Sequence, residues 1–528
     1  MDASSPARGT ALRLKRVVKE ELVKPRYRDH DVASVIEAVL CTGLGTQLSN
    51  TLYSAAQDRT PPPQPPPTTA PTTETTSTQR SPYSPLPPPE PRAERLDVVA
   101  ALLRQWEVHQ RGAVRQYCEE TGAPPMRVRG DGVDEAPSHP VEAAAWHAAR
   151  AAKRPLVHGE ELLELIAELR HPNHTSESSA IRGWGLVAVE LAPPTRAALQ
   201  ARFGELALGE RQGGLDDELR GWFAEERQAM GLRVLGNGFA PLLAQYARRG
   251  VPMSLRARVW LGALRRGERV GEREYHYYAS LLREVDRVAL ASDAACKHDA
   301  NLPLLEDPYF VFAEQVEEVL LCFTRDPQVL KHRDAAAAGP AVLAAARSGA
   351  LTPFPPAGVL PLRGMSMLVY PLCYLYAQQQ ELYYAFRAMW CRYWCKLHTL
   401  SSRPGTLLPL LRSFEGLLAE HAPGLCLHLS QLGLHPTRVA FPWILHAFAG
   451  YLPADQTLLL WDRVVGFDSL EPLPLLAVAV FVFHAKALML ATEADHVHHV
   501  LADPSELKVV PLLQAFLFDD EFCAAAAG

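Results

Sequence analysis

The stretch ELYYAFRAMWCRYWCKLHTL, residues 381–400, decides the fold class. Leu382, Phe386, Met389, Trp390, Tyr393 and Leu397 recur at helical spacing, so a helix gathers them on one side. The same period lies on both sides of it. Phe312, Val316, Val319, Leu320 and Phe323 make one stripe; Leu407, Leu410, Leu411, Phe414, Leu417 and Leu418 make another. Such stripes follow one another with few breaks, which predicts an all-α body over residues 245–518. Asp503, Pro504 and Glu506 form a start signal for a final short helix that Pro511 should limit.

Toward the N-terminus, Leu162, Leu165, Ile166 and Leu169 keep helical spacing, as do Leu96, Val99, Leu103 and Trp106. They predict a helical accessory domain over residues 93–244, with 185–191 as its one candidate strand. Residues 60–92 are dominated by Pro, Thr and Ser, as in Pro61-Pro62-Pro63-Gln64-Pro65-Pro66-Pro67. Their small apolar surface cannot offset the entropy of ordering, so they read as a disordered spacer. That spacer is a plain linker or a PxxP ligand for an SH3-type partner. Residues 1–59 read as an N-terminal helical segment.

At 528 residues the chain exceeds a single core. Its net charge is -6, and no Lys/Arg cluster is interleaved with aromatics, which disfavours nucleic acid as a partner. The basic run 13–24 is broken by Glu20 and Glu21 and reads as a solvated helix face. The opening Met1-Asp2-Ala3-Ser4-Ser5-Pro6 has no apolar run, so no secretory signal is expected. The longest apolar stretch, 472–483, ends at His484 and Lys486, short of the ~20 residues a membrane span needs. It predicts a buried helix, and the whole reads as cytoplasmic. The 9 cysteines show no pairing rhythm. Cys391, Cys395 and His398 share a helical face without a second ligand pair, and His496, His498 and His499 read as an exposed polar turn. No metal is expected. The phosphate-cradling G-x-x-x-x-G-K-[ST] and the hydrolase patterns G-x-S-x-G and H-E-x-x-H are missing, so no self-contained catalytic site is read.

An ordered set of local signatures carries the reading further. Gly250-Val251-Pro252 leads into Leu255-Arg256 and Val259-Trp260. Gly364-Met365, Phe441 and Trp443, Tyr451-Leu452-Pro453 and Leu458-Leu459-Leu460-Trp461-Asp462-Arg463 follow. This order resembles the TBC domain family, the helical activators of Rab-type GTPases, over about residues 245–518. Tyr370-Pro371-Leu372-Cys373-Tyr374-Leu375-Tyr376 and Ala440-Phe441-Pro442-Trp443 look like a divergent branch of it. In this reading Pro252 takes a first helical position, and Leu255, Val259 and Trp260 face inward. The family pattern implies a bracing role for Arg256. Trp461 should anchor the core beside Asp462, an acceptor for a nearby helix end.

The resemblance implies a Rab-family partner, and GTP and Mg that belong to that partner rather than to this chain. It also implies an arginine from I-x-x-D-x-x-R and a glutamine from Y-x-Q, which stabilise phosphate charge and orient water. The best register for the first motif is Leu290-Ala291-Ser292-Asp293-Ala294-Ala295-Cys296, with cysteine at the arginine position. Asp286 and Asp299 lead to Ala289 and Leu302, and Asp217-to-Arg220 precedes the domain. The second motif should stand at Leu360-Pro361-Leu362-Arg363, where Pro361 replaces tyrosine and Arg363 replaces glutamine. An Ala/Pro-rich insertion over 334–358 precedes it; the literal Tyr376-Ala377-Gln378 further on reads as coincidence. Arg363 is the candidate catalytic cation, although a guanidinium cannot accept a proton from water. Two expectations follow. One is a Rab-directed GTPase activator acting in trans with non-standard finger residues. The other is a catalytically degenerate TBC module that binds a Rab as effector or scaffold in membrane trafficking, drawn to membranes through that partner.

Overall fold

The computed structural model describes residues 92–122, 125–128, 158–167, 193–215, 221–265, 270–302, 310–334, 343–345, 351–401, 403–504 and 507–527. The expectations for residues 1–91 and for a strand at 185–191 lie outside the described residues. The chain divides into two compact units, Met1–Val98 and Val99–Gly528, and the contacts below belong to the second.

The fold is all-α, as the periodicity predicts. Helix α1 (Arg92–Thr121), strand β1 (Met126–Val128) and helix α2 (Gly159–Ala167) come first. Helices α3 (Arg196–Arg202), α4 (Gly221–Asn237), α5 (Ala240–Ala247), α6 (Met253–Leu264) and α7 (Glu272–Arg287) lead to β2 (Val288–Leu290). Next come α8 (Asp293–Asp299), α9 (Ala313–Arg325) and α10 (Pro327–His332), then the strands β3 (Leu343–Ala345) and β4 (Leu351–Pro353). Helix α11 (Met365–Cys373) is followed by α12 (Gln379–Met389), which runs on into a π turn at Trp390–Trp394. The chain closes with α13 (Leu407–His421), α14 (Pro423–Gln431), α15 (Pro436–Leu445), α16 (Ala454–Phe467), α17 (Pro472–Phe483), α18 (Ala485–Met489), α19 (Ala494–Leu501), α20 (Val509–Phe518) and α21 (Asp520–Ala527).

Local chemistry explains the boundaries. Proline opens α10, α14, α15 and α17, where the missing N–H has no intrahelical partner to lose. Asp326 caps α10 by accepting from Gln328 N at 2.8 Å, and its buried carboxylate also takes Tyr277 and Tyr383 hydroxyls at 2.6 Å. Helix α17 is apolar all round and packs against both α13 and α20, as a core helix must. No helix among the described residues is long and apolar enough to cross a membrane.

The centre is a tryptophan cluster, with Trp461 ring to ring with Trp260 at 6.4 Å and with Trp394 at 4.9 Å. Beside it, Asp462 is fully buried and has four protein donors: Trp260 Nε1 at 2.8 Å, Val251 N at 2.9 Å, and Arg256 Nη2 and Nε at 3.0 and 3.1 Å. Val251 stands at the entry to α6, so Asp462 takes the helix-end hydrogen bond that its position beside Trp461 predicts, and Arg256 braces that joint. Arg463 is buried as well and donates to Gln212 Oε1 and Gly213 O; burial holds its guanidinium down at about 10.

Several boundary expectations are corrected. Pro252 is the cap before α6, one position ahead of the first helical residue. The final helices begin later than Asp503: α20 starts at Val509 and holds Pro511 within its first turn, where a lost N–H costs no hydrogen bond. His496, His498 and His499 lie on the exposed face of α19 rather than in a turn. The insertion over 334–358 contains the antiparallel pair β3 and β4, and β1 pairs with β2 in the register Met126 to Leu290.

Candidate functional site

The two segments that the sequence register reads as the fingers meet through one carboxylate. Helix α8 lies in the first, and the loop into α11 forms the second. Asp299, at the end of α8 and 2% exposed, accepts from Gly364 N at 2.6 Å and Ser366 N at 2.7 Å. It thereby caps α11, whose first-turn N–H groups have no partner of their own. Burial outweighs these hydrogen bonds and raises the Asp299 carboxyl to about 6.

Cys296, which the sequence register sets at the arginine position, faces inward and is 1% exposed. Burial, with Asp293 and Asp299 adding to it, pushes its thiol well above the usual range, so it stays neutral and unreactive. Asp293 is also occupied: Arg325 grips it at 2.7 and 2.8 Å, and Leu290 N donates to it at 3.0 Å. The exposed cation of α8 is Lys297, ion-paired with Glu317 at 3.4 Å.

Arg363, which the sequence register sets at the glutamine position, is exposed, and its Nη1 donates to His158 Nε2 at 2.9 Å. Its carbonyl accepts from His446 Nε2 at 3.3 Å. Gly364 has φ of 94°, a left-handed conformation that glycine adopts freely, and a Cβ there would lie 2.2 Å from His446 Nε2. His446 itself precedes two left-handed non-glycine residues, Ala447 and Phe448, a turn fixed by Trp461 Nε1 donating to Ala447 O at 2.9 Å. Thus the tryptophan core holds the turn, the turn holds His446, and His446 packs on the finger loop. Trp443 stacks on Tyr451 at 4.3 Å beneath the same turn, and Met365 is buried at the start of α11. Tyr376 and Gln378 lie beyond the far end of α11, with the Tyr376 hydroxyl tied to Ala257 O at 3.1 Å.

Residue patterns did not point to His158, His446 or Asp299. Asp299 stood in the sequence only as a poor match for the motif acid, and the two histidines reach the loop from distant elements.

The loop is pH-sensitive in a defined direction. Burial holds the His446 imidazole down at about 4 and that of the nearby His398 at about 3. Both fold neutral, and the unfolded chain takes up their protons below ~6.5, so their stability is lost as pH falls toward those values. Asp299 acts oppositely, since its raised folded value makes the fold the stronger proton binder between ~6 and ~4. From pH 7 to 5 the two histidines outweigh the one acid, for a net loss on the order of 2 kcal/mol. Denaturant melts at both pH values should show it, and in His398→Gln/His446→Gln the loss should give way to the opposite trend set by Asp299. An unchanged slope in the double variant contradicts the assignment.

The geometry and the order of the signatures meet in the comparisons with known proteins. The family model of the Rab-GTPase-TBC domain matches residues 362–489, which begin at the finger loop. TBC1 domain family member 19 of Homo sapiens is 36% identical over 448 residues, covering 83% of this chain and 85% of that protein. This chain belongs to the TBC domain family. The TBC domain-containing protein kinase-like protein of Mus musculus is 27% identical over 110 residues, 21% of this chain and 12% of that protein. The solved Chlamydomonas flagellar RabGAP TBC domain overlaps 53% of this chain and 84% of its own at a TM-score of 0.39 and 16% identity. Of the two residues that the sequence register sets at the finger positions, Cys296 is an enclosed thiol and Arg363 carries a guanidinium bonded to His158.

Proposed function

We propose that the chain docks on the nucleotide face of a GTP-bound Rab-type GTPase as a binding module, an effector or scaffold with little hydrolytic power of its own. The observation that supports this reading is the burial of Cys296, a neutral thiol 1% exposed and the residue that the sequence register sets at an activator's arginine. An arginine so placed is typically worth ~10³ to 10⁵ in rate, and a buried thiol supplies none of it. GTP and Mg come with the partner, and recruitment to a membrane follows from the partner's own anchoring.

A second reading, a Rab activator with a non-standard constellation, is favoured by the exposure of Arg363 in a loop fixed by Asp299 and His446. Its guanidinium can meet phosphate charge but cannot take the glutamine's role toward water.

Titration against a panel of purified Rab GTPases separates the outcomes. The docking reading expects a complex with at least one Rab loaded with a non-hydrolysable GTP analogue, and binding at least ~10-fold weaker to its GDP form. Equal affinity for both nucleotide states, or no complex across the panel, sinks it. Should hydrolysis be stimulated, loss of that stimulation in Arg363→Ala with binding retained favours the second reading.

A further inference from the structure

The finger segments do not stand bare: elements from the N-terminal side of the TBC region reach each of them. Strand β1 pairs with β2, and Ala291 N donates to Pro125 O at 2.9 Å, two residues before Asp293. Residues Leu103, Trp106 and Glu107 of α1 wall a pocket whose other side is Leu360 and Leu362, just before Arg363. The most direct contact is made by α2. His158, immediately before it, accepts from the Arg363 guanidinium at 2.9 Å. Its apolar face, with Leu162 1% and Ile166 0% exposed, is enclosed, and the helix packs on α15, next to the turn that holds His446. Glu164 pairs with Arg438 of α15 at 2.8 Å, and Gly159 lies against Leu445, at 3.2 Å from an added Cβ.

We infer that α2 with His158 is an intramolecular cover, which occupies the finger loop and draws the Arg363 side chain back onto the protein until a GTPase displaces it. The physical reason is competition for one surface. A partner whose phosphates approach Arg363 needs the guanidinium that His158 holds, and the helix behind His158 is anchored by apolar burial that a partner must undo. Apparent affinity is then the intrinsic affinity divided by the reciprocal of the uncovered fraction, so a cover that is closed most of the time weakens binding in proportion. The polar part of the anchoring is modest, one surface ion pair and one exposed hydrogen bond, so the buried apolar face of this short helix sets the cost of release. This inference rests on the docking reading above.

The test uses the full chain. In Ile166→Asp the cover loses its buried anchor, and in Glu164→Arg the pairing with Arg438 becomes repulsion. Binding to the GTP-analogue form of a Rab that engages the chain should tighten at least ~10-fold in Ile166→Asp, and by less in Glu164→Arg. The swap Glu164→Arg/Arg438→Glu should return to the wild-type value, which a merely unfolding effect would not do. In parallel, amide hydrogen exchange over 159–167 should be slow in the free protein and accelerate on adding the Rab. If the variants bind as wild type does and 159–167 stays protected in the complex, the cover is overturned while docking stands. If no Rab binds wild type or Ile166→Asp, both are overturned together.

Discussion

Asp462→Ala is expected to destabilise the domain by about 3 to 5 kcal/mol, the cost of leaving a buried cation without its partner. Four donors converge on this carboxylate, which is fully buried, and two of them belong to Arg256, itself 5% exposed. Removing the acid strands the guanidinium, the Trp260 indole N–H and the Val251 amide at the mouth of α6 at once. Arg463 next door adds to the penalty, because Asp462 is the one charge that favours its buried cationic form. Equilibrium denaturation measures the effect. The conservative Asp462→Asn should lose less, since the amide oxygen still accepts. A loss below about 1 kcal/mol for Asp462→Ala would contradict the role assigned to the joint.

Gly364→Ala is the second large effect, expected at about 2 to 4 kcal/mol, and it acts on the finger loop directly. A left-handed φ costs an L-residue about 1 to 2 kcal/mol. The new methyl would also overlap the His446 ring, 2.2 Å from Nε2, a ring held by the Arg363 carbonyl and the fixed turn after it. In a His446→Ala background only the backbone part should remain, about 1 to 2 kcal/mol. Equal losses in both backgrounds would mean that His446 does not press on the loop.

The helical body was legible because burial imprints a local period. Leu382, Phe386, Met389 and Trp390 announce their shared side within nine residues of sequence, and all are buried. The interior roles of Trp260, Trp461 and Asp462 were legible for a different reason, through a family order of signatures. The reading of Cys296 and Arg363 as finger replacements rests on register against that order. What surrounds them could not be read. His158 and Arg363 are 205 positions apart, and β1 reaches β2 across 164 positions at the pair Met126 and Leu290. No local period encodes a histidine that bonds one loop or a three-residue strand that pairs once. The late start of α20 escaped for a nearer cause, since Asp503-Pro504 imitates a cap and Pro511 imitates a stop.

Single-turnover GTP hydrolysis, with a Rab that binds and saturating amounts of this protein, tests the central claim most directly. With an enclosed thiol at the residue that the register sets as the arginine, and no glutamine in the loop, the rate in the complex should stay within about tenfold of the Rab alone. An acceleration of ~10³ or more would contradict the account, because it would require a complete catalytic pair that neither finger segment carries.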